Sequence, residues 1–472
     1  MKPTGRGDGI SSSETKDPSR AQMAKNTEKT HPMVHVVFAS LLLDLLAFTM
    51  ILPLLPSLLD LYSQHDSSGL YPYLIEKVRF FQNLVGAPDR FNSVLFGGFL
   101  GSMFSFLQFV ASPMVGGFSD AYGRKSAMLL CLTGIAFSYI LWVLSSNFAL
   151  FVVARFVGGI SKGNVSLSMA IITDVSTPAA RAKGMALVGI AFSIGFILGP
   201  IIGAGFARWS HSQTGGSWFM VPASFALFLA CTDLLFVFAF FKETLPKEKR
   251  APSVAKSLAE AVAYVNPVDL FQFKAVQKLP TQEHKKLVKL GVIYYIYLFL
   301  YSGLEFTLTF LTHHTFGYTS MQQGWMFFAI GLTMAILQGA FVRRIPPHHV
   351  ASSASLGLLL IVPSFVCVGL ASSSILLYVG LLLFAVSTSM VVPCMMTLVS
   401  KFGTHDQKGT VMGIFRSLGA LARATGPIFA SILYWSIGSV VTYLLGGVLL
   451  LVPWLMMRNL EEKLTTSPQK QS

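Results

Sequence analysis

The chain has 472 residues, of which 53% are hydrophobic and only 12% charged, with a formal net charge of +14. A charged fraction so far below the soluble average of about 25% excludes an ordinary soluble domain. The positive balance invites a nucleic-acid reading, but its distribution along the chain belongs to membrane topology instead.

Residues 1–33 are polar and carry Lys2, Arg6, Lys16, Arg20, Lys25 and Lys29. They lack the apolar core of a signal peptide and read as a disordered cytosolic tail. Beyond them, apolar runs of the length that crosses a bilayer, about 20 residues, recur to near the end of the chain. They predict an all-α membrane protein of twelve transmembrane helices: 34–59, 93–115, 126–145, 148–172, 185–206, 218–241, 288–311, 323–342, 352–370, 374–399, 410–434 and 438–457.

Two segments break the rhythm. Residues 60–92 form a long outer loop, where the spacing of Leu70, Leu74, Val78, Phe81 and Leu84 predicts a short surface helix over 70–85. Residues 242–287 form a basic central loop, within which 252–265 has the pattern of an amphipathic helix against the cytoplasmic leaflet. A solvated linker and a partner-docking or phosphoregulated segment both fit that loop. It separates two six-helix halves, 34–241 and 288–457, as in transporters built from internal repeats; 458–472 form a second cytosolic tail. With the N-terminus in the cytosol, the outer segments hold only Lys77, Arg79, Arg90 and Arg208 of the 35 basic residues. That is the positive-inside pattern, with both termini cytosolic.

The four cysteines (Cys131, Cys231, Cys367 and Cys394) lie in apolar runs without disulfide or metal spacing. No zinc helix, nucleophile elbow or P-loop is visible, so neither an enzyme nor an ATP-driven pump is expected, and no metal or cofactor. His313 and His314, and likewise His348 and His349, read as solvated loop histidines.

Inside the apolar runs stand Asp44, Arg155, Lys162, Asp233, Glu305, Arg416 and Arg423. Each costs roughly 2.5–3.5 kcal/mol at the bilayer centre, so a chain retains such groups where they pair or line a wet cavity. Arg155 and Lys162 are seven apart, as are Arg416 and Arg423, which puts each pair on one helix face.

The motifs carry a resemblance. Gly116-Gly-Phe-Ser-Asp120-Ala-Tyr-Gly123-Arg124-Lys125, between spans 2 and 3, is similar to the signature loop of the major facilitator superfamily. Gly339-Ala-Phe-Val-Arg343-Arg344 resembles a degenerate copy in the second half, and Arg155-Phe-Val-Gly-Gly159 the superfamily's span 4 arginine motif. In span 5, Gly195-Phe-Ile-Leu-Gly199-Pro200-Ile-Ile-Gly203 resembles the motif of drug/proton antiporters; glycines four apart also allow close helix packing on physical grounds alone. Leu43-Asp44 with Pro53 and Pro56, and Glu243-Thr-Leu-Pro246, resemble bacterial tetracycline/proton antiporters. Gly159-Ile-Ser-Lys162, Gly303-Leu-Glu305 and the run Lys408–Arg423 resemble the vertebrate tetracycline-transporter-like branch, regarded as organic-anion transporters. The membrane acids that bacterial tetracycline exporters carry in spans 3 and 9 are missing, which puts tetracycline itself in doubt as cargo.

The resemblance implies a cavity bordered by spans 1, 4, 7 and 11 and worked by alternating access. Lys162, Arg423, Arg155 and Arg416 are then the candidates to hold an amphipathic organic anion, with Tyr294, Tyr295 and Tyr297 against its body. Static pairing or, for Arg416, snorkelling is the competing role for Arg155 and Arg416, and static pairing is the expected role of Asp233. Asp44 and Glu305 are the candidates for proton coupling, or alternatively counter-ions to the cations. Gly116, Asp120, Gly123, Arg124, Lys125, Gly195, Gly199, Pro200 and Gly203 form the conformational motifs. The expected partners are the anion, protons and the lipid bilayer of a plasma or intracellular membrane such as the nuclear envelope or endoplasmic reticulum; nucleic acid is not expected, and the chain reads as monomeric. An uncoupled facilitator and a non-transporting scaffold are the rival readings.

Overall fold

The computed structural model describes residues 31–465 apart from 215–216, 251–252, 254–265, 277–278, 347 and 403–407. The helix expected over 252–265 and most of the N-terminal tail lie outside the described residues. Among those described the fold is all helical, as backbone buried in lipid requires, because only a helix or a closed barrel satisfies its N–H and C=O groups internally.

The first half contains α1 (Pro32–His65), α2 (Asn92–Tyr122), α3 (Arg124–Val143), α4 (Phe148–Val175), α5 (Pro178–Thr214) and α6 (Met220–Phe240). The second contains α7 (Thr281–Phe316), α8 (Ser320–Ala340), α9 (Val350–Gly369), α10 (Ser374–Val399), α11 (Lys408–Ile437) and α12 (Ser439–Glu461). Eleven of these are long and apolar enough to cross a membrane. The exception is α11, whose stretch holds both Arg416 and Arg423. Large side chains such as Phe228, Leu235, Phe238 and Ile375 are exposed around the outside, where lipid would cover them.

The helices differ from the expected spans at points with a local cause. Helix α2 runs on through the glycine-rich stretch to Tyr122, so Gly123 alone makes the turn, at φ +103°. Helix α7 begins at Thr281, because Pro280 starts it and its first turns stand outside the apolar layer, with Lys286 pairing with Glu283. Helix α4 is interrupted at Lys162, which leaves helical geometry (φ −81°, ψ 40°) between Phe148–Ser161 and Asn164–Val175. Pro53 and Pro56 break α1 at a 3₁₀ turn, Leu52–Leu54, as proline must when it removes an N–H from the ladder. The surface helix spans Leu70–Val85, as its spacing predicted.

Across the halves, α2 packs along α11 and α5 along α8, while α1 and α7 meet near the surface helix. The α2 seam is built from small residues. A Cβ on Gly98 would lie 2.2 Å from Ser431 Oγ, one on Gly97 2.4 Å from Phe310, and one on Gly101 2.6 Å from Phe306. Only glycine permits this approach, and Gly97-x-x-x-Gly101 is a packing signal legible in the sequence but not singled out there.

Candidate transport site

The buried charge of the first half centres on Lys162. Its Nζ donates to Asp44 Oδ1 at 2.6 Å, and Asn164 Nδ2 donates to Asp44 Oδ2 at 2.7 Å. Both ion-pair side chains are almost fully buried. The break in α4 is what sets Lys162 and Asn164 side by side facing α1. The same ammonium stands 4.8 Å over the Phe48 ring, Phe48 stacks on Phe104 at 5.3 Å, and Arg155 lies 4.2 Å over Phe104 from the other side. Two cations therefore end one aromatic stack, each drawn to a ring face. Arg155 and Lys162 line one crevice inside this half, with Ser138, Tyr139 and Trp142 of α3.

The second half holds Arg423 and Glu305 differently. Arg423 is exposed and Arg416 half-buried, and neither forms an ion pair among the described residues. Arg423 lies one turn from Pro427, whose carbonyl abuts Gly98 across the seam. Pro427 also leaves the Arg423 carbonyl without its usual helical donor. Glu305 Oε1 accepts from Tyr301 at 2.9 Å, and Arg423 is the cation within electrostatic reach of it. Of the three tyrosines expected along a cargo's body, Tyr294 and Tyr297 are fully buried within this half. Tyr294 stacks on Phe415 at 4.0 Å and Tyr297 on Tyr301 at 5.5 Å, so they offer no surface to a ligand. Tyr295 is half-buried and meets Thr425 Oγ1 at 3.3 Å.

At the end of the molecule carrying residues 60–92, polar contacts tie the halves together. His313 Nε2 is 2.8 Å from Asp60 Oδ2, and His314 Nε2 is 3.2 Å from Ser93 Oγ. Trp435 Nε1 donates to Asn92 Oδ1 at 2.8 Å, and the Ile428 N–H donates to Ser102 Oγ at 2.8 Å. The expectation of solvated loop histidines for His313 and His314 is therefore corrected. Helix α7 continues to Phe316 and carries both imidazoles onto the first half, a contact between residues too distant in sequence to be read there.

The signature loop closes a charge node at the opposite end. Arg124 bonds Asp120 (2.6 Å) and Asp174 (2.7 Å), while its N–H donates to Glu243 Oε1 at 2.9 Å and that of Lys125 to Glu243 Oε2 at 3.2 Å. Arg250 lies 3.5 Å from the same carboxylate. Of the motif glycines, Gly123 faces Glu243 at a distance no Cβ tolerates, whereas a Cβ on Gly116 would meet nothing. In the α5 motif, Gly195, Gly199 and Gly203 all lie against α1, where Cβ atoms would stand 2.7 Å from Leu45, 1.8 Å from Thr49 Oγ1 and 2.3 Å from the Met50 carbonyl oxygen. Thr49 Oγ1 fastens the contact by donating toward Leu45 O (2.8 Å) and Gly195 O (2.7 Å). Pro200 is an internal proline of that helix.

Two helical halves around membrane-embedded charge, joined through paired helices, define a solute transporter architecture. Residues 37–427 match the model of the Major Facilitator Superfamily, and the chain belongs to that family of transporters. It is 48% identical over 435 residues to Major facilitator superfamily domain-containing protein 10 of Homo sapiens, covering 91% of this chain and 93% of that one. A crystal structure described as the human organic anion transporter MFSD10 (TETRAN) is similar with a TM-score of 0.74 and 47% identity, over 90% of this chain and 98% of that one. The class B tetracycline resistance protein of Escherichia coli is 25% identical over 395 residues, 83% of this chain and 86% of that one.

Proposed function

We propose that this protein carries amphipathic organic anions across a membrane by alternating access, coupled to protons. The observation that carries the reading is Arg423: an exposed guanidinium, without an ion-pair partner among the described residues, one turn from the Pro427 carbonyl that meets Gly98 of the other half. Such a guanidinium grips a carboxylate or sulfonate through two parallel hydrogen bonds. Lys162 and Arg155 supply further positive potential, and Arg416 lies about two turns from Arg423 on the same helix. Glu305, within reach of Arg423, and Asp44, bonded to Lys162, are placed to take a proton when a cargo draws either cation away. The anion named in the description of the human relative's crystal structure supports this substrate class. The positive-inside pattern of the basic loops supports reading both termini as cytosolic.

Uptake of a labelled organic-anion panel into proteoliposomes, with and without a pH gradient, tests the reading. Arg423→Ala should weaken saturable uptake about tenfold, the worth of one charge-assisted hydrogen bond, without unfolding the protein, because the side chain is exposed. Unaltered uptake in that variant sinks the anion site. The tight Asp44–Lys162 pair also suits an uncoupled facilitator, in which it never opens, and flux indifferent to the gradient would decide for that.

A further inference from the structure

Asp233 is the membrane-embedded carboxyl that the transport reading leaves without a task. It is fully buried on α6, and among the described residues neither Oδ1 nor Oδ2 has a hydrogen bond of ordinary length or an ion pair, which overturns the expectation of a static ion pair. Asp44, a helix away, has two donors. A carboxylate buried with only the Ser40 hydroxyl near it and no counter-ion in contact is costly, whereas the neutral acid escapes most of that cost and has a proton to give. Helix α1 packs on α6 and presents Ser40 and Asp44 to it, with Lys162 of α4 also within electrostatic reach. Helix α3 also packs there, and its Cys131 and Tyr139 lie within electrostatic reach of Asp44. Among the described side chains, the charges of α3 stand at its start, as Arg124 and Lys125, and Arg208 of α5 is exposed.

We propose that Asp233 is a proton-holding site that relays its proton to Asp44 when Lys162 turns to an anionic cargo. The relay, though not the holding, rests on the function proposed above. The charges balance. Without cargo, Asp44 is negative, Lys162 positive and Asp233 neutral. A monovalent anion that takes over Lys162 leaves Asp44 unpaired; the Asp233 proton passes to an Asp44 oxygen, and a proton from the aqueous side refills Asp233. Two adjacent carboxylates do not both stay ionised, so the loaded state contains the anion together with one added proton.

Infrared difference spectroscopy of the purified full chain at neutral pH tests the holding directly. The wild type should show a protonated-carboxyl C=O band that shifts on deuteration and is missing in Asp233→Asn. Identical spectra for the two would overturn the proposal. Asp44→Asn should keep the band, and its loss there would assign the proton to Asp44 and equally overturn it. In proteoliposomes, Asp233→Asn should lower gradient-driven accumulation about tenfold or more, with a much smaller loss of cargo-for-cargo exchange. Full gradient-driven accumulation in that variant refutes the relay. If wild type itself ignores the gradient, the coupling reading and the relay fail together, and the infrared band alone decides whether Asp233 holds a proton.

Discussion

Asp60 of α1 and His313 of α7 meet at 2.8 Å, an ion-pair contact that joins the two halves at one end of the bundle. Each ring nitrogen of His313 faces an acceptor, Nε2 the Asp60 carboxylate and Nδ1 the Tyr318 carbonyl at 3.4 Å. The contact is partly exposed, so its worth is about 1 kcal/mol, which biases the closed end roughly fivefold. His313→Ala or Asp60→Asn should therefore raise the reactivity of a cysteine placed at buried Ser102, beneath this contact, by about that factor. Unchanged labelling would show that the glycine seam closes this end by itself.

Separating Lys162 from Asp44 leaves one buried charge without its counter-ion. Lys162→Ala or Asp44→Asn alone should destabilise the protein by roughly 3–5 kcal/mol, and the combination Asp44→Asn with Lys162→Met by markedly less. Thermal unfolding in detergent across the double-mutant cycle measures this coupling. Additive losses would mean that the pair contributes no coupling energy.

The α5 glycines separate packing from mere flexibility. At Gly203 a methyl group would press into the Met50 backbone at 2.3 Å, while at Gly205, two residues on, it would meet nothing within 4 Å. Gly203→Ala should cost about 1–3 kcal/mol by overpacking, and Gly205→Ala close to none. Equal melting temperatures for the two variants would remove the close-packing explanation.

Asp66 anchors the outer surface. It accepts from the N–H groups of Ser68, Tyr71 and Phe148 and from the Ser68 hydroxyl, tying the helix Leu70–Val85 to the start of α4. Burial pushes its pKa up, but these hydrogen bonds together outweigh burial and hold it below the ordinary 3.8. A depressed carboxyl stabilises the fold above its unfolded pKa and loses that contribution as pH falls through its folded one. The stability gap between wild type and Asp66→Ala should be widest at neutral pH and shrink below about pH 4. A gap that widens on acidification would contradict the assigned bonds.

Much of the molecule was legible in the chain. The apolar runs, the helix over Leu70–Val85, the division into halves and the family motifs are local patterns, and lipid leaves a long apolar segment little choice but a helix. The boundaries shifted where a proline or a hydrated first turn overrode the apolar pattern, as at Thr281. Asn164 escaped notice because a lone amide in a span has no spacing signal, although it supplies the second donor to Asp44.

What the sequence determined by itself was the inventory: which charges enter the membrane, and on which helices. What only the tertiary structure decided was their pairing. Asp44 lies 118 positions from Lys162 and finds it because α4 breaks beside α1, whereas Asp233 is left without an ion pair among the described residues. Arg423 is left exposed and without an ion pair among the described residues, while His313 crosses 253 positions to reach Asp60. Electrostatic energy depends on separations of a few ångströms and on burial, and in a helical bundle neither is encoded in distance along the chain.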